Sequence, residues 1–107
     1  MRDRQPAVYL LAKASHSTLY TGVTSNLVQR IRQHRAGTIK GFTRTYAIKR
    51  LVWFEQHATM EHAIVREKQL KKWERKWKLR LVNGFNPEWI DLWPQILGSF
   101  GFPPSRE

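Results

Sequence analysis

Residues Ala7–His34 read AVYLLAKASHSTLYTGVTSNLVQRIRQH, and this stretch decides the fold. From Ala7 to Lys13 the chain is apolar on both alternating faces, with Val8, Leu10 and Ala12 on one and Tyr9 and Leu11 on the other. A strand of that kind is covered on both sides and belongs inside a sheet rather than at its edge. Ala14–Ser17 is a turn-like cluster, and Thr18–Val23 is rich in β-branched and aromatic residues, so the two runs form a hairpin. Side chains alternate along a strand, so the four-residue connection, being even, puts Tyr9 and Tyr20 on one face. Gly22 leaves room for the close approach of another backbone or a ligand.

Working outward, Thr24, Ser25 and Asn26 are N-cap candidates for the periodic run LVQRIRQHR. Leu27 and Ile31 mark the buried stripe of that helix. Arg30 and His34, one turn apart, flank the stripe and are positioned to meet the tyrosine face, while Arg32 and Arg35 point outward. Gly37 is the expected C-cap. Residues 38–49 read as a loop in which Lys40, Arg44 and Lys49 are interleaved with Phe42 and Tyr46. Such a loop suits nucleic acid through charge and stacking, or is pinned to the core by its two aromatics. Arg50–Gln56 (RLVWFEQ) is the third strand.

Thr59 caps a long helical segment, TMEHAIVREKQLKKWERKWKLRLV, with Met60, Ala63, Ile64, Leu70 and Trp77 as its apolar stripe. Such length with one constant buried face predicts a bend near Trp73–Lys76. Glu67 falls in the middle of the stripe, where a carboxylate is costly unless it is paired or bound to a metal. Three partners compete for it: Lys71 one turn on, Arg30, or a metal ion. Glu74, one heptad on, is the weaker ligand. The opposite face carries Lys68, Lys71, Lys72 and Arg75 within a basic run that extends to Arg80, a plausible phosphate-tracking surface. Trp73 and Trp77 are expected to pack. After Val82, NGFNPEWIDLWPQIL predicts a turn and a short helix with Trp89, Leu92 and Trp93 inward, stopping at Pro94. Residues 98–107 read as a loose tail.

Length and charge bound the function. The 107 residues make one domain with a modest core. Nineteen Lys and Arg against eight Asp and Glu give +11 and a pI near 10.8, a field that favours a polyanion, most simply nucleic acid. There is no cysteine, which excludes disulfides and thiolate metal sites. The apolar run AVYLLA is too short for a signal peptide or a membrane span, so a cytoplasmic protein without membrane contact is expected. No phosphate-binding GxxxxGK loop, dinucleotide fingerprint or zinc-like histidine spacing is present.

Ala7-Val8-Tyr9, Tyr20-Thr21-Gly22, the run TSNLVQRIRQH and Glu67 in REKQLKKW together resemble the GIY-YIG nuclease superfamily, in particular its small stand-alone bacterial members. The resemblance covers residues 6–82, leaving 83–107 as a C-terminal helical extension and tail. Arg30 stands at the family's arginine, His34 at its frequent histidine and Glu67 at its metal-binding glutamate. Ala7 replaces the motif glycine and Thr21 its isoleucine; Asn83 and Asn86 compete for a late asparagine, with Asn86 favoured. What the resemblance implies is an α+β fold, a three-stranded antiparallel sheet flanked by helices in the order ββαβαα. It further implies hydrolysis of DNA phosphodiester bonds with Mg²⁺, for which Mn²⁺ substitutes. In that scheme Glu67 holds the ion, Arg30 binds the scissile phosphate, and Tyr9 or Tyr20, with His34 as a sharer, assists the attacking water. DNA is the expected partner, with RNA as the variant, and structure-selective cutting in repair or recombination the expected role. Two rivals stand beside it: a nucleic-acid-binding module that keeps the fold and cuts nothing, and a basic protein that docks on the ribosome or another acidic partner.

Overall fold

The structure is a computed structural model that describes residues 5–39, 41, 43 and 46–98. Its centre is a three-stranded antiparallel sheet in which β1 (Ala7–Ala12) lies between β2 (Leu19–Thr24) and β3 (Arg50–Gln56). This is the α+β architecture that the paired hydrophobic faces of β1 demand. Ala7, Tyr9 and Leu11 look toward helix α1 (Leu27–Ala36), where they meet Leu27, Val28 and Ile31. Val8, Leu10 and Ala12 look the other way, onto Ala63 and Leu70 of helix α2 (Met60–Lys72) and Val82 of helix α3 (Arg75–Phe85). One central strand thus serves two cores.

The helix ends follow local chemistry. Asn26 accepts the Gln29 N–H to cap α1, and Gly37, at φ 74°, closes it in the left-handed conformation that glycine adopts without strain. Thr59 caps α2 by accepting the His62 N–H. The expected bend is a complete break, since Trp73 and Glu74 are both extended (ψ 146° and 153°) and α3 starts afresh at Arg75. The break changes helical phase, and this corrects the stripe. Trp77, beyond the break, is 44% exposed; within α2 itself Ala63, Glu67 and Leu70 are buried while Ile64 is exposed, so the buried stripe is narrower than expected.

The C-terminal segment departs most from expectation. The anticipated turn at Asn83–Phe85 is instead the last turn of α3. Pro94 does not stop a helix but opens one, α4 (Trp93–Ile96), because proline lacks only an N–H that the first helical turn leaves unpaired anyway. Trp89 and Leu92 are buried as expected, while Trp93 is only partly covered. The expected boundary at 82/83 lies inside α3, and the residues beyond it close the sheet. Leu92 N–H donates to the Leu51 carbonyl, and Asp91 accepts the Leu51 N–H, so the outer edge of β3 is satisfied at Leu51. The tail beyond residue 98 lies outside the described residues.

Asn86 fastens this arrangement. The β1–β3 pairing shifts between Leu10 and Leu11, which leaves Val52 without a partner residue, and the Asn86 amide donates to the Val52 carbonyl at 3.1 Å. The same side chain donates to the Ile90 carbonyl and accepts the Ile90 N–H. Asn86→Ala should therefore destabilise the fold by about 2 kcal/mol, read as a lower midpoint in urea.

Candidate active site

The observed register pairs Tyr9 with Gly22 and Leu11 with Tyr20, which places both tyrosines on the α1 face of the sheet, as the even connection requires. Their ring centroids are 6.4 Å apart, and His34 from α1 stands edge-on to each at 5.7 Å. Gly22 has a more definite purpose than room for a ligand. A Cβ there would lie 2.3 Å from Tyr9 Cζ and 2.4 Å from its hydroxyl oxygen, so the Tyr9 side chain itself occupies the space.

Tyr9 Oη and His34 Nε2 are 3.0 Å apart, and His34 Nδ1 lies 3.2 Å from Thr43 Oγ1. His34 is 4% exposed; burial, and then the Arg30 charge, push its pKa down to about 4. The ring is therefore neutral near pH 7 and carries a single proton, donating to one neighbour and accepting from the other. Tyr9 is 1% exposed. Burial holds its phenol well above the ordinary value, Tyr20 adds to this, Arg30 pulls it back, and Glu67 pushes up again. Tyr20 is only partly buried.

This arrangement fixes a pH dependence. Between the ordinary histidine value of 6.5 and about 4, the unfolded chain binds a proton at His34 and the folded chain does not. Stability is thus present above pH 6.5 and falls as the pH drops through this window, by up to about 1.4 kcal/mol per pH unit. Urea unfolding of wild type and His34→Gln over that range should show a shallower acid slope in the variant.

Arg30 is half-buried, and among the described residues no carboxylate pairs with it. A guanidinium in that position is available to an anion. Glu67 comes from α2, which packs against β2 and β1, and is 8% exposed. Of its three candidate partners the structure supplies the first: Lys71 Nζ donates to Glu67 Oε2 at 2.6 Å. The same bond raises the Lys71 pKa, against its partial desolvation. The Glu67 charge also reaches Tyr9, and Tyr20 adds to the rise at Lys71; α2 packs along β2, the strand that carries Tyr20.

Of Tyr9, Tyr20, Arg30, His34 and Glu67, only Glu67 offers a carboxylate to a metal ion. Among the described residues no three His, Cys, Asp or Glu side chains converge as a metal cage. Glu67 is a shielded carboxylate already holding a cation, which suits an ion that keeps most of its waters and takes a phosphate oxygen, as Mg²⁺ does. Glu74 is 72% exposed and pairs loosely with Lys76, so nothing gathers around it.

The other site candidates divide. Lys68 and Lys72 are exposed on α2. Arg75 instead ties α3 to the β1–β2 hairpin by donating to the carbonyls of His16 and Ser17. Lys78 is held below its ordinary pKa by burial and by the neighbouring Arg75 and Lys71, a crowding of cations that an anion would relieve. Lys40 and Arg44 lie outside the described residues. Asn86 is committed to Val52 and Ile90, and Asn83 accepts the Trp89 indole N–H at 2.7 Å. Thr43, buried against His34, has no signal in the sequence, because a threonine in a polar loop carries no periodicity.

The model of the GIY-YIG catalytic domain matches residues 5–80. A UPF0213 protein of Clostridium perfringens is 40% identical over 76 residues, which cover 71% of this chain and 81% of the relative. One from Haloquadratum walsbyi is 36% identical over 75 residues, 70% of this chain and 83% of its own. A UPF0213 protein from Bacillus halodurans, solved in solution by NMR, is 30% identical, with 74% of this chain and 83% of that chain covered at a TM-score of 0.47. Since the matched span runs from just before β1 to within α3 and takes in both tyrosines, Arg30, His34 and Glu67, the chain belongs to the GIY-YIG nuclease family.

Proposed function

We propose that this protein is a cytoplasmic, metal-dependent endonuclease that hydrolyses DNA phosphodiester bonds. Branched or distorted DNA of repair and recombination is the favoured substrate class. The observation that carries this reading is the meeting of a neutral, buried His34 with Tyr9 and Tyr20 beside an arginine that no described carboxylate neutralises. Mg²⁺, or Mn²⁺ in its place, when held by Glu67, supplies charge to offset the negative charge that develops on the phosphate and its leaving oxygen. Arg30 binds the scissile phosphate and stabilises its more negative transition state. Lys71 gives up Glu67 when the site is loaded, and its exposed ammonium turns to the phosphate instead.

Tyr9 is a poor base as it stands, since its phenol is hard to ionise. With the ring proton of His34 on Nδ1, however, the Tyr9 hydroxyl donates to Nε2 and leaves its oxygen lone pairs to accept from water. Tyr9 then orients the nucleophile. His34, held neutral and too weakly basic to keep a second proton, fixes the direction of the Tyr9 hydroxyl with its own Nδ1–H anchored on Thr43, and the proton of the attacking water leaves to solvent. Tyr20, the more accessible phenol, faces the substrate. The phosphate-directed contacts of Lys68 and Lys72 position DNA without reading its sequence.

Nicking of supercoiled plasmid and of branched DNA in Mg²⁺, Mn²⁺ or EDTA tests this. Cleavage is expected with either metal, to stop in EDTA, and to be lost in folded Arg30→Ala protein. Binding without cleavage in either metal would sink the proposal. It would favour the second reading, a DNA-binding module whose Lys71 permanently neutralises Glu67.

A further inference from the structure

Helix α2 has a second flank. Glu67 and Lys71 border β2, but Arg66 turns to β3, where it donates to Glu55, and Trp73 faces Trp53 of the same strand. Beyond them, between β3 and α3, lies an open groove of about 470 Å³. Trp53, Trp73 and Phe85 form its apolar wall, and Trp77 and Arg80 its rim. Gly84 contributes no side chain, and a Cβ added there would meet nothing within 4 Å. Trp77 is 44% and Phe85 48% exposed, which is unusual for rings of this size beside a core.

The cations are arranged on the rings. The Arg80 guanidinium lies 4.9 Å and Lys76 Nζ 5.6 Å from the Trp77 centroid, and Arg66 sits 5.3 Å over Trp73. Glu74, on Lys76, is the acidic group nearby in sequence. Aromatic surface interleaved with fixed positive charge complements a ligand that offers flat π faces and anions in alternation. A second copy of this chain, itself carrying +11, brings like charge to like. Duplex DNA keeps its bases stacked inside and presents no free face to an indole. An unpaired strand offers both at once.

We propose that this groove binds a single-stranded nucleic-acid segment, with bases against Trp77 and Phe85 and phosphates on Arg80 and Lys76. The proposal rests on the nucleic-acid reading given above and refines its substrate to DNA with an unpaired arm beside the duplex. Because the groove lies on the α2–α3 face of the sheet and the tyrosines on the α1 face, the sheet would divide the unpaired arm from the strand to be cut.

Binding is measured by fluorescence anisotropy in Glu67→Ala protein without metal, at one salt concentration, so that cleavage does not intrude. The probes are a labelled oligo-dT of about 12 nucleotides, an abasic strand of equal length, and a duplex. The base-bearing strand is expected to bind about tenfold more tightly than the abasic one. Trp77→Ala, at a half-exposed ring, and Gly84→Glu, at an exposed position with nothing within 4 Å of an added Cβ, should each remove that advantage and change duplex binding by less than about twofold. Equal binding of the two strands would overturn the proposal, as would a preference that survives both variants. So would a Trp77-dependent dimer in sedimentation equilibrium, which would give the groove to a second copy. Wild type that keeps the strand preference yet cuts nothing would remove the nuclease reading alone.

Discussion

Glu67→Ala is expected to lower metal-dependent cleavage by at least about a hundredfold while leaving the fold intact. The asymmetry arises from how Glu67 is held. Its side chain is 11% exposed, but that of its partner Lys71 is 58% exposed, so the ammonium rehydrates once the carboxylate is gone. No buried charge is orphaned, and the stability cost stays below about 1 kcal/mol. Thermal unfolding and plasmid nicking on the same preparation check both halves. Activity surviving in the folded variant would show that Glu67 is only the structural partner of Lys71. Glu67→Gln keeps a hydrogen-bond acceptor for Lys71 and loses the charge; it should be as inactive as the alanine variant if the carboxylate holds the metal.

Gly22→Ala should cost about 3 kcal/mol, at the upper end of overpacking penalties, and should remove activity in what remains folded. The new methyl would stand 2.3–2.8 Å from three atoms of the Tyr9 ring, inside any permitted contact. Neither side yields readily. Gly22 is fixed in the β1–β2 ladder opposite Tyr9, and the ring is buried and bonded to His34. Relief requires Tyr9 to leave His34, which breaks the pairing that sets the neutral imidazole against the phenol. A drop in melting temperature together with loss of cleavage is the expected result. A variant of wild-type stability would mean that the ring has another place to go.

How much of this is legible in the sequence depends on the range of the interaction. Period-two alternation identified β1 as a central strand, and loop parity placed Tyr9 and Tyr20 together, because both are properties of the chain over a dozen residues. Caps at Asn26, Gly37 and Thr59 were equally local. The carboxylate on the apolar stripe of α2 stood out because helical periodicity makes a polar intruder visible. Those signals failed where the phase changed. Trp77 looked like a continuation of the stripe, but the break at Trp73–Glu74 turned α3 and left the ring at the rim of a groove. Pro94 reads locally as a stop, although a proline opens a helix as well as it ends one, and only the neighbouring backbone decides.

By itself, then, the sequence determined the sheet, its two-sided core, the capped helices and the identity of the chemically capable residues, since each follows from spacing along one element. The tertiary structure alone decided how those residues are partnered. It set Tyr9 into the space of Gly22, gave His34 the Tyr9 and Thr43 hydroxyls, matched Glu67 with Lys71 rather than Arg30, and spent Asn86 on the carbonyl that the bulge in β3 exposes. Apart from the Glu67–Lys71 turn, these contacts join residues far apart in the chain or on different elements. Burial and geometry select among such pairs, and no periodicity along the chain records the choice.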